Sequence, residues 1–257
     1  MSISKLKKEL TQKYGKRPTI CYYYYLWNVV DYAGEERVRA SFESVKDQVD
    51  EVIIGDNRST DKTKQLAEEY GFKYVSVSKS DTHLFPESKI RNKVISECKS
   101  NFLLPININV EYPLFLNEFI KLWIRKSNIH KECLRLRYRL QNADGSIDRF
   151  YGFSSLFYKP FLIKARGYDE RTGYGAGSQK YGATLMKEIF KLRTRPFYLQ
   201  MVHKYHNDIK LPMINKMYPR ITRIKRNRNV AVIVESLMKN LKVNFNDGVK
   251  KVRNSYW

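Results

Sequence analysis

The chain has 257 residues, 42% of them hydrophobic, which suffices for one α/β domain with a tail or for two small domains and excludes a disordered polyelectrolyte. Its 48 Lys and Arg stand against 26 Asp and Glu, a formal charge of +22 that suits phosphate polymers, anionic lipids or anionic glycans, or else a plain solubility surface. No apolar run reaches the roughly 18 residues of a membrane span, residues 1–17 lack the apolar stretch of a signal peptide, and Cys21, Cys98 and Cys133 lack metal spacing, so free buried thiols in a cytoplasmic protein are expected.

Residues 1–17 read as a short basic helix. The β-branched and aromatic run 19–27 predicts a buried first strand. Val38, Phe42 and Val45 recur at helical spacing within 35–48. A short apolar strand at 52–54 ends at Gly55-Asp56, and Ser59 or Thr60 is placed to cap a helix over 61–70 that Gly71 stops. Strand 73–77, helix 89–99 and strand 101–106 follow. This alternation predicts a mostly parallel, doubly wound sheet, whose ligands bind beyond the C-terminal strand ends. Asp56, the loop after Val77 and residues 107–109 then share one rim.

The second half differs. An amphipathic helix is expected over 114–126, then strands 133–140 and 147–158 joined by the turn 142–145. Glycines cluster between Gly167 and Gly182 as a shaped loop. Residues 207–257 hold 12 Lys and Arg against 3 Asp and Glu; five of the basic residues lie within 220–228, ahead of a helix over 230–241.

The segment 51–63, EVIIGDNRSTDKT, resembles the "VVDDGSTDGT" stretch of family-2 glycosyltransferases. Ser44 to Gln48 resembles their "SLxxQ", and Asn28 stands where their first strand ends in Asn. Arg91-Asn92 is similar to their helical "RN". Residues 107–113, NINVEYP, occupy the place of their metal-binding "DADxxxP". Gly167-Tyr168-Asp169-Glu170 followed by Gly173-Tyr174-Gly175 resembles "GGFDE…GWG", and His203 falls where many members carry a late histidine. Each motif is weak alone, but together, in family order, they span residues 19–206.

The resemblance implies a GT-A fold: a nucleotide-sugar half over 1–113, an acceptor half over 114–206, and a basic helical extension over 207–257. It implies transfer of a hexosyl or pentosyl group from a nucleotide-sugar, with a uridine donor because the residue matching Asp56 reads the base. Asp56 is otherwise a turn residue. Tyr23 and Tyr25 set a ring against the base or pack in the core; at most two of Tyr22 to Tyr25 share a face. Arg91 reaches the diphosphate or lies on a solvated helix face. Asn28, Asn107 and Asn109 complete the donor set.

Asn107 and Asn109 replace carboxylates that hold Mn2+ or Mg2+ in the family, and neutral amide oxygens suit those hard cations poorly. The metal then binds weakly through Asn109 with Glu111 or His203, or Lys and Arg neutralise the diphosphate instead, or catalysis is lost. The family's Glu-Asp base is absent from 176–179, so Asp169 is the expected acceptor contact and Glu170 the base candidate, unless they cap the following loop. His203 and His206 share a face only on a helix. Charge and aromatic content favour DNA with hydroxymethylated bases as acceptor. A surface polysaccharide or lipid-linked glycan at an anionic membrane is the alternative, and an inactive binding module the third reading. No obligate protein partner is expected.

Overall fold

The computed structural model describes residues 12, 18–77, 86–108, 110–127, 132–141, 146–168, 170 and 193–204. In chain order the elements are β1 (Ile20–Leu26), α1 (Val29–Ala33), α2 (Glu35–Glu43), β2 (Glu51–Asp56), α3 (Thr63–Glu69), β3 (Lys73–Ser76), α4 (Glu87–Glu97), β4 (Phe102–Pro105), α5 (Leu116–Lys126), β5 (Glu132–Gln141), β6 (Ile147–Ser155), β7 (Phe157–Tyr158), α6 (Lys159–Lys164) and β8 (Arg193–Lys204). The main sheet has order β3-β2-β1-β4-β7, parallel except for β7. A second sheet runs β6-β5-β8, with β5 antiparallel to β6 and parallel to β8.

Central β1 is buried on both faces, as a strand covered by helices on each side must be. Its period of two sorts the four tyrosines. The Tyr24 ring lies 5.3 Å from Phe42 of α2, and Tyr22 lies 6.3 Å from Tyr112. Tyr23 and Tyr25 face the other way, toward Arg91 of α4. Gly55 lets α4 approach β2: a Cβ there would sit 2.5 Å from Ile90 Cγ2 and 2.9 Å from Val94 Cγ2.

The parallel βαβ alternation and the β5–β6 hairpin are as expected. Gly71 ends α3 in the left-handed region, with Phe72 N–H donating to the Ala67 carbonyl and Gly71 N–H to that of Glu68, a Schellman arrangement. Several elements differ. Helix α2 ends at Glu43, because the chain continues in tighter turns in which Val45 N–H donates to Phe42 and Gln48 N–H to Val45. Helix α4 begins two residues earlier than the periodicity suggests, with Glu87 buried. The strand expected over 147–158 serves both sheets: β6 pairs with β5, Leu156 N–H bonds Leu134, and β7 pairs with β4. Helix α1 and strands β7 and β8 are additions. Pro196 sits on β8, an edge strand, where its missing N–H is tolerated.

All three cysteines are free and buried. No helix among the described residues is long and apolar enough to cross a membrane. The basic helix over 1–17 (apart from Gln12), the loop after Val77, the turn 142–145, the glycine cluster beyond Glu170 and the extension 207–257 lie outside the described residues.

Candidate active site at the strand rim

The register places Leu26 of β1 beside Asp56 of β2, and Tyr23 beside Pro105 of β4. Asp56 ends β2 and Asn107 follows β4, so the two flank β1 on one C-terminal rim. Asp56 is fully buried. Its Oδ2 accepts from Ser59 N at 2.6 Å and Tyr74 Oη at 2.7 Å, and its Oδ1 accepts from Ser59 Oγ at 2.5 Å. Burial raises its pKa above the usual carboxylate value, against the pull of those bonds.

The residues carrying the motif resemblance form a rivet between β1 and β2. Asn28, left-handed at φ 43°, accepts from Thr60 N–H at 2.8 Å and donates its Nδ2 to Thr60 Oγ1 at 3.3 Å. Its own N–H donates to Ser59 Oγ at 2.7 Å. Asp61 Oδ2 accepts from Val30 and Asp31 N–H, capping α1, while Oδ1 accepts from Thr63 N–H at the start of α3. Thr63 Oγ1 accepts from Val29 N–H at 3.1 Å. The helix cap expected from Ser59 or Thr60 is therefore corrected: Asp61 does that work, because both hydroxyls are spent on Asp56 and Asn28. Asn28, expected as a donor ligand, has both ends of its amide engaged within the protein.

Arg91 is neither on a solvated face nor extended into the rim. It is 4% exposed. Nε and Nη2 donate to Glu87 Oε1 at 2.9 and 2.6 Å, and Nη1 donates to Tyr23 Oη. The guanidinium stands 4.4 Å from the Tyr25 ring centroid and 5.5 Å from those of Tyr23 and Tyr168. A diphosphate contact by Arg91 would require Glu87 or Tyr23 to give way. Burial pushes the Tyr23 hydroxyl pKa up, with Arg91 opposing. Tyr23 is buried, whereas Tyr25 is half-buried.

The neighbouring Asn92 holds Tyr168 and Glu170. Its Oδ1 accepts from Tyr168 N at 2.6 Å, and its Nδ2 donates to Tyr168 O at 2.9 Å and to Glu170 Oε1 at 2.8 Å. Glu170 is exposed; Asp169 lies outside the described residues. Asn107 is half-buried, with its N–H donating to Tyr112 Oη at 2.8 Å. Asn109 lies outside the described residues. His203 pairs with Leu140 in the β5–β8 ladder, so its segment is extended and not helical. His206 lies outside the described residues.

Glu87, Asn92, Ser59 and Tyr74 were not singled out from sequence as site residues. The i,i+4 spacing of Glu87 and Arg91 was a legible sign of a pair. Tyr74 carried none, since only the β2–β3 register brings it to Asp56.

By sequence, no curated protein matches the chain. The family model for glycosyl transferase family 2 matches residues 29–107. Among solved structures, glucosyl-3-phosphoglycerate synthase from Mycobacterium tuberculosis, in complex with Mn2+, UDP and glucosyl-3-phosphoglycerate, is similar at TM-score 0.57 and 13% identity, over 96% of this chain and 86% of that one. S. aureus TarS 1-349 in complex with UDP-GlcNAc is similar at TM-score 0.60 and 13% identity, over 91% and 69%. The family match is confined to residues 29–107, and the solved structures share the arrangement of sheet and helices, so the fold is that of the GT-A glycosyltransferases.

Proposed function

We propose that the protein transfers a sugar from a UDP-sugar to a hydroxyl of an anionic acceptor, with DNA carrying hydroxymethylated bases as the first acceptor. The observation that carries this reading is the rim on which Asp56 and Asn107 flank β1, with the half-buried Tyr25 nearby. Asp56 is buried beneath Ser59 and Tyr74, so the imide N–H of a uracil would reach its carboxylate as those hydroxyls turn away. Tyr25 supplies a ring to cover the base. Bond formation between the acceptor oxygen and the anomeric carbon breaks the bond to the diphosphate. The hydroxyl proton passes to a carboxylate, with Glu170 as the candidate and Asp169 as the acceptor contact. The charge of +22 suits a polyanionic acceptor and implies salt-sensitive binding.

The two solved structures contain UDP or UDP-GlcNAc, one of them with Mn2+. When bound, such a cation would neutralise the leaving diphosphate. Asn107, with Asn109 and His203 as further candidate ligands, offers neutral donors that fit a hard cation poorly.

A donor panel read by mass spectrometry tests the proposal, against hydroxymethylated DNA and lipid-linked glycan, with Mn2+ and with EDTA. UDP-sugar transfer to DNA is the expected result. Transfer to lipid-linked glycan, with vesicle binding in place of DNA binding, would favour the surface-glycan alternative. Absence of both transfer and donor hydrolysis would leave a binding module, the reading favoured by the amide at 107.

A further inference from the structure

Two adjacent residues of α4, Arg91 and Asn92, meet at Tyr168. Arg91 is turned inward against Tyr23 and Tyr25, below the rim, and also lies against the Tyr168 ring. Asn92 takes the backbone of the same Tyr168 on both its N–H and its carbonyl, and spends its remaining donor on Glu170. An amide side chain bonding both backbone groups of one residue fixes that residue's position and orientation, as a strand neighbour would. Gly167 is shaped to admit it. Its φ is +74°, and a Cβ would sit 2.5 Å from Asn92 Oδ1. Arg166, also left-handed at φ 61°, shows that the chain turns sharply into this contact.

We propose that Asn92 is a positioning residue that sets the 167–170 loop, and with it the Glu170 carboxylate, at a fixed place relative to the donor rim. It need not touch either substrate. The bonds to Tyr168 set the loop, and the bond to Glu170 Oε1 leaves that exposed carboxylate one oriented direction in which to meet an acceptor. A neutral amide is required, because it donates and accepts at once. Asn92→Asp would lose the donors and face Glu170 with a second carboxylate.

The activity arm of the test rests on the glycosyl-transfer reading; the exchange arm does not. Asn92→Ala is expected to speed amide exchange in the 166–170 peptide about tenfold while α4 stays protected. It is expected to raise the acceptor KM about tenfold and leave the donor KM within about twofold. Gly167→Ala, which displaces Asn92 from the other side, is expected to give the same exchange pattern. Asn92→Asp is expected to exchange faster than Asn92→Ala, and adding Glu170→Gln to slow it again. Unchanged exchange at 166–170, donor and acceptor KM rising together, or no slowing in the double variant would each overturn the proposal. If the wild type moves no sugar to any acceptor, the transfer reading falls while exchange still decides the role of Asn92.

Discussion

Strand β2 carries a carboxylate at each end, and the two ends are built differently. At its start, Glu51 accepts from the backbone N–H groups of Lys99 and Ser100, from Ser100 Oγ at 3.0 Å and from Cys98 Sγ at 3.4 Å. At its finish, Asp56 accepts from two side-chain hydroxyls and one N–H. Glu51 ties the sheet to the α4–β4 turn, with two main-chain N–H groups among its donors. Asp56 is held mostly by hydroxyls, which can turn to another acceptor at little cost. The same residue chemistry thus makes a permanent joint at the base of the sheet and an exchangeable one at the rim.

Four substitutions sharpen or break that contrast. Gly55→Val, next to Asp56, should cost most, about 3 kcal/mol in urea unfolding, since α4 cannot retreat without moving Ile90 and Val94. Glu51→Ala should cost about 2 kcal/mol by leaving the Lys99 and Ser100 amides without their acceptor, with UDP affinity unchanged by calorimetry. Asp56→Asn should cost only about 1 kcal/mol yet weaken UDP about tenfold. If Glu51→Ala weakens UDP as much as Asp56→Asn does, the two ends are not distinct. Tyr74→Phe should cost least, about 0.5 kcal/mol, as Asp56 keeps both Ser59 bonds.

The pH dependence of Asp56 has a definite sign. Its folded pKa is raised by burial, so the folded state holds this proton more tightly than the unfolded chain. The resulting stabilisation is fully present below the unfolded carboxylate value and is lost as pH rises through the folded one. Wild type should therefore gain stability over Asp56→Asn on acidification from neutral pH into that window, as urea midpoints at the two pH values would show. A gain in the opposite direction would mean that the hydroxyl bonds outweigh burial.

The rim was legible because short-range patterns produce it. Alternation in residues 20–26 sorts the tyrosines, Gly71 marks the end of α3, and β2 closes on Asp56. What stayed hidden depends on contacts far apart in the chain. Helix α1 is capped by Asp61, thirty positions away, so no local signal announces it. Arg91 reads as a surface cation until the sheet places Tyr23 above it and α4 turns Glu87 toward it. Asn92 sits 76 positions from Tyr168, and neither residue type is unusual where it stands.

The rivet of Asn28, Ser59, Thr60, Asp61 and Thr63 has a wider consequence. Every one of these side chains fastens β1 to β2, and none is free to follow a change of substrate. Replacing any of them is expected to loosen the β1–β2 crossover whichever substrate is bound. The most recognisable stretch of this chain is thus architecture first, and its motif marks a way of joining two strands as much as a way of holding a substrate.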